Sequence, residues 1–142
     1  MKPNIIVLCI AFVCVFILSS CTFAPKIVLL NNSGYTVKVQ QGTKTIGIVN
    51  TGQSVEFYYP SADQMVFIKT ETTSWSYNFT TNSPPHEYFL PPPERRERKL
   101  RVQLEATGEL YLLLPTEEFP LTNFTNQPSG FPLKPIVQET PK

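Results

Sequence analysis

Thiols and imidazoles most readily supply nucleophiles, general bases and metal ligands, and this chain of 142 residues carries three cysteines and one histidine. Cys9, Cys14 and Cys21 all lie at its beginning, while His86 follows Pro84-Pro85 and precedes Glu87. A general base needs a positioned nucleophile and a third group to orient it. Neither a Gly-x-Ser-x-Gly nor a His-Glu-x-x-His pattern accompanies His86, so it reads as a loop residue and no enzymatic activity is expected. A single histidine among scattered carboxylates has no metal-ligand spacing, so no metal and no cofactor are expected either.

The cysteine with chemistry of its own is Cys21. Lys2 supplies a positive start, an apolar run extends from Ile5 to Leu18, and the small residues Ser19 and Ser20 come next, which is the three-part layout of a secretory signal. The run is shorter than the roughly 20 apolar residues of a membrane span. Leu18-Ser19-Ser20-Cys21 resembles the lipobox of bacterial lipoproteins. The resemblance implies that the Cys21 thiol is diacylated, that residues 1–20 are a signal peptide cut away before it, and that residues 21–25 tether the lipid to the folded part. In that family a residue other than Asp after the cysteine usually directs the protein to the outer membrane, and Thr22 holds that position. A retained transmembrane anchor and an ordinary cleaved signal with an incidental cysteine are the alternatives.

On the lipoprotein reading the mature chain has no disulfide, no thiolate nucleophile and no cysteine metal site. Without Lys2, eleven basic side chains balance the 11 acidic ones. A balance of this kind does not point to nucleic acid as a partner.

Three further features carry binding chemistry. After Pro91-Pro92-Pro93 the run Glu94–Arg101 contains Arg95, Arg96, Arg98, Lys99 and Arg101. It reads either as a basic patch for phosphate headgroups or an acidic partner, or as solvated charge that keeps a sheet edge from pairing. Among the aromatics, Trp75 and Tyr77 could stack on a small ligand or a glycan, although their strand-like alternation with Phe79 also suits a core. Beyond Leu114 the prolines at 115, 120, 128, 132, 135 and 141 remove donors and fix φ, which predicts an extended or disordered tail over residues 115–142. Its spaced apolar residues, Phe119, Phe124 and Phe131 among them, could anchor it along a partner or along its own domain.

The elements that must position these groups are strands. Lys26–Asn31 is β-branched and aliphatic, Asn32-Ser33-Gly34 favours a turn, and Val37 and Val39 alternate with Lys38 and Gln40, so the first two strands are expected to pair as a hairpin. Further strands are expected over Thr45–Asn50, where Gly47 weakens the pattern or marks a bulge, then over Gln53–Tyr59, Gln64–Thr70, Ser74–Thr80, Lys99–Ala106 and Glu109–Leu114. Short, even spacing and the absence of helical periodicity predict an all-β domain over residues 26–114. It is expected as a small antiparallel β-sandwich, Ig-like or related, of about eight short strands.

These observations converge on a non-enzymatic, lipid-anchored protein of the bacterial cell envelope that recruits or stabilises another envelope component by protein–protein interaction. Its expected contacts are the membrane, through the lipid on Cys21, and an envelope protein. The alternative is a surface lipoprotein that binds a small ligand or glycan through exposed aromatics.

Overall fold

The computed structural model describes residues 24–90 and 98–139; Cys21, Arg95 and Arg96 lie outside the described residues. The described chain is all-β, with ten strands and two single-turn 3-10 helices. In order these strands are β1 (Lys26–Asn31), β2 (Val37–Gln41), β3 (Lys44–Val49), β4 (Ser54–Tyr58) and β5 (Val66–Lys69). They continue as β6 (Ser74–Tyr77), β7 (Phe89–Leu90), β8 (Lys99–Leu104), β9 (Leu110–Leu113) and β10 (Val137–Glu139).

The strands form the two layers of a sandwich. One sheet runs β4-β1-β8-β7, with β9 pairing the later part of β8, and the other runs β10-β6-β5-β2-β3. Alternation decides which side chains meet between the layers. In the first sheet Ile27, Leu29, Leu100, Val102 and Leu104 point inward; in the second, Val37, Val39, Val66, Ile68, Trp75 and Tyr77 do so, and all are buried in one continuous cluster. Each such aliphatic side chain contributes about 1.5–3 kcal/mol when taken out of water.

Two expectations about pairing are corrected. The sandwich is not wholly antiparallel, because β1 and β8 run parallel from Lys26↔Lys99 to Asn31↔Leu104. A parallel pair needs a long crossover, and the chain from β2 to β7 supplies it. Nor do β1 and β2 form a hairpin: β1 pairs with β4 and β8, and β2 with β3 and β5.

The reason is Asn31. Fully buried, it donates from Nδ2 to the carbonyls of Tyr35 at 2.7 Å and Val49 at 2.9 Å. Its Oδ1 accepts from the Ser33 N–H at 3.0 Å and the Ser33 hydroxyl at 2.7 Å. A buried amide satisfied on every side is costly to displace, and here it turns the chain out of one sheet and into the other. The irregularity expected near Gly47 is present, as a register shift opposite the Val39/Gln40 step.

Of the courses expected for the tail, the structure shows the one along its own domain. Residues 115–139 are neither a loose end nor a linker. They cross the outer face of the first sheet, where Gln103 holds Leu121 at both backbone groups, 2.7 and 3.0 Å. There Phe124 lies on Tyr111 with ring centroids 4.0 Å apart. The tail then follows the outer edge of β9 and ends as β10 on the edge of the second sheet. The fold therefore continues past the break expected at Leu114. Proline barred this stretch from a sheet interior but not from an edge.

Candidate functional site

None of the expected binding residues within the described chain forms a free ligand site. Trp75 and Tyr77 are 2% and 0% exposed, so neither presents a ring face to a glycan, and the ligand-binding reading of these two residues is corrected. Their positions follow from β6 facing inward, where Trp75 packs on Gly108 in the turn between β8 and β9. A Cβ at Gly108 would fall 2.5 Å from the indole Nε1, and its φ is +83°, so this site requires glycine. The Tyr77 hydroxyl donates to the Gly108 carbonyl. The Trp75 N–H has no hydrogen-bond partner among the described residues.

The phenylalanines of the tail are likewise engaged at home. Phe124 stacks on Tyr111, Phe131 packs against the core and Phe119 is half-buried. As anchors for a partner, Phe124 and Phe131 are corrected to anchors for their own domain. The cations divide. Arg98 is exposed just before β8, Lys99 pairs with Glu56 at 2.6 Å, and Arg101 donates to the Glu117 carbonyl at 2.9 Å. Edge protection is not the role of Lys99 and Arg101, because β8 lies inside its sheet with β1 on one flank and β7 and β9 on the other.

His86 is exposed in a 3-10 turn. Among the described residues no group of three or more His, Cys, Asp or Glu side chains is arranged to hold a metal ion. Four tyrosines are shifted away from reactivity. Burial pushes Tyr77 and Tyr59 up. Burial, then the neighbouring Glu117 and Glu87 carboxylates, raise Tyr88. Burial with the hydrogen bond and charge of Glu109 takes Tyr111 to about 12.

What the geometry does single out is a contrast between the two sides of the sandwich. On one side the outward backbone positions of β9 are all met by the tail. Leu110 exchanges two hydrogen bonds with Leu133, at 3.0 and 2.8 Å. The Gln127 amide accepts from the Leu112 N–H at 2.8 Å and donates to its carbonyl at 3.0 Å, and the Glu117 carboxylate accepts from the Leu114 N–H at 2.6 Å. Ile136 then donates to Ser76 at 2.8 Å and opens β10.

On the other side β3 and β4 are the sheet edges. Among the described residues the only hydrogen bond reaching the β3 backbone from outside β2 is the Asn31 amide on Val49. Among the described residues the outer edge of β4 is met only at Tyr58, whose carbonyl accepts from Gln41 at 3.1 Å. Ile48 on β3 is 71% exposed and Tyr58 on β4 is 56% exposed. Sequence reasoning passed over Ile48, because it sits in a strand whose pattern looks half-buried; the signal available was the proline-rich tail, which needed a sheet edge to occupy.

Fold and site together define a small β-sandwich with one closed side and one open side. Compared with known proteins, the chain matches no family model, and no significant match is found among curated proteins or solved structures.

Proposed function

We propose that this is a non-enzymatic, lipid-anchored module of the bacterial cell envelope, carried to the outer membrane by its lipobox-like N-terminal stretch, that recruits or stabilises another envelope protein. The observation that supports the reading is the unpaired edge of β3 beside exposed Ile48, on a sandwich whose opposite side is closed by its own tail. An extended segment of a partner adds to such an edge through main-chain hydrogen bonds, and side chains on the flanking face select it. Edge strands are ordinarily guarded because they pair indiscriminately. Here Lys44 and the bulge opposite Val39/Gln40 guard only the start of β3, leaving half-buried Gly47 and exposed Ile48 beyond that guard.

The test is photo-cross-linking in the native membrane with the full-length protein, the cross-linking residue placed at Thr45 on the open side or at Lys134 on the closed side. A defined neighbour captured from position 45, absent from position 134 and lost on Ile48→Lys, is the expected result. Equal capture from both positions, or none from either, overturns the reading. Retention of the protein at the membrane by Cys21→Ser would separately overturn lipidation as the means of anchoring.

A further inference from the structure

At the end of the sandwich where β1 finishes, the segment leading from β1 to β2 faces the turn between β5 and β6 across a cleft of about 350 Å3. Tyr35, Thr36, Thr70, Glu71 and Thr72 line it, among others. None of the lining residues belongs to the open edges of β3 and β4. Both walls are fixed by hydrogen bonds. The Tyr35 carbonyl accepts from the Asn31 amide at 2.7 Å and the Thr51 hydroxyl at 3.3 Å, and its N–H donates to the Ser33 hydroxyl at 3.3 Å. Across the cleft the Thr70 hydroxyl accepts from the N–H groups of Thr72 at 3.2 Å and Thr73 at 2.9 Å, while the Thr70 N–H donates to the Thr73 carbonyl at 2.8 Å.

The side chains held in place by these bonds are left unspent. With both backbone groups of Tyr35 bonded inward, what this residue shows to solvent at 52% exposure is mainly its ring. Among the described residues the side chains of Tyr35, Glu71 and Thr72 have no hydrogen-bond, ionic or ring partner. The Thr36 hydroxyl donates to Asn50 at 2.9 Å and keeps its lone pairs for a donor. No lysine or arginine lines the cleft, which disfavours an anion. Organic cations are held by several ring faces together, whereas here one ring stands among three threonines.

A single ring face with a carboxylate and hydroxyls beside it matches a molecule that is apolar on one side and hydroxylated around its rim. We propose that the cleft binds an uncharged saccharide, one sugar ring lying on Tyr35 while its hydroxyls donate to Glu71 and Thr36 and bond with Thr72. The volume falls at the lower end of the roughly 300–1,000 Å3 of small-molecule sites, and walls that are already ordered spare the binding step that cost. The cleft opens at the opposite end of β1 from Lys26, which follows Cys21 by five residues, so it stays accessible when the chain is held at its N-terminal side. Saccharide binding goes beyond the recruiting role proposed above and does not rest on it.

The experiment is NMR on the full-length protein in detergent, with the tyrosine rings labelled, titrated with triacetylchitotriose, with maltotriose and, as a cation control, with tetramethylammonium. Ligand-side saturation transfer measures the same binding in the variants. One or both trisaccharides are expected to shift the Tyr35 ring signals, equally at low and high salt. Tyr35→Ala is expected to weaken that binding about tenfold and Glu71→Ala about fivefold, while Tyr35→Phe keeps most of it. All three variants should unfold in urea at the wild-type midpoint, because the walls are held through the backbone of residue 35 and the hydroxyl of Thr70. If neither trisaccharide moves the Tyr35 signals, or if Tyr35→Ala binds as well as the wild type, the proposal is overturned. Binding of tetramethylammonium at Tyr35 with both trisaccharides inert overturns it too, and makes the cleft a site for an organic cation.

Discussion

The side of the sandwich along β9 and β10 has strands of four and three residues, and the side along β3 and β4 has strands of six and five. The chain closes the side with the shorter strands while leaving the other open. On the β9 side three successive outward positions are met by Leu133, Gln127 and Glu117, a combination of main-chain and side-chain groups that reproduces a neighbouring strand without being one. On the β3 side no described segment is added, and Ile48 stands 71% exposed. An unpaired edge costs little in water, where its donors and acceptors are hydrated, whereas an edge beneath packed side chains must be satisfied from within. The tail covers Gln103, which is fully buried, and so it has to supply the bonds it takes from water. The open side is under no such requirement, and its groups remain available to another molecule.

This comparison can be broken in four ways. Ending the chain at Leu114 removes every partner of the β9 edge together with β10, and at about 1 kcal/mol per lost hydrogen bond plus the exposed apolar surface it is expected to cost at least about 5 kcal/mol, enough to unfold a domain of ordinary stability. Circular dichroism and urea titration of this variant beside the full chain check it, and a folded, cooperative truncation would mean that the tail is dispensable. Gln127→Ala leaves both backbone groups of buried Leu112 unmet, and a loss of about 2 kcal/mol in urea unfolding is expected.

Tyr77→Phe removes the bond to the Gly108 carbonyl, and about 1 kcal/mol is expected to go with it. This variant also has a pH signature. Burial raises the pKa of Tyr77 above its ordinary value of 10.0, so the stability this group contributes is complete below pH 10 and declines as pH rises beyond it. The wild-type protein should lose stability above pH 10 more steeply than Tyr77→Phe, as followed by unfolding at a series of alkaline pH values. The smallest effect belongs to the open side. Ile48→Lys is expected to change stability by less than about 0.5 kcal/mol while abolishing capture of the partner, so a large destabilisation would show that Ile48 supports the fold instead of a neighbour.

Much of the architecture is written in local pattern. The alternation of Ile27 and Leu29, of Val37 and Val39, and of Leu100, Val102 and Leu104 marks strands and their inward faces, because side chains on a strand alternate whatever the strand pairs with. Pairing itself is a property of distant residues. That β1 lies between β4 and β8, and not beside β2, depends on the four hydrogen bonds of Asn31, and an asparagine in an Asn-Ser-Gly turn looks the same in a hairpin as in a crossover. Trp75 and Tyr77 could not be sorted between core and ligand surface until Gly108 was seen beneath them.

By itself, then, the sequence determined that the folded part is all-β, where most of its strands lie and which of their residues face inward, since these follow from alternation, turn chemistry and the exclusion of proline from sheet interiors. Only the tertiary structure decided what the tail does. Its prolines and phenylalanines are equally suited to a linker, a partner-binding strip or a clasp. The choice was made by the edge of β9, whose backbone groups lie within reach of Leu133, Gln127 and Glu117 only after both sheets have formed.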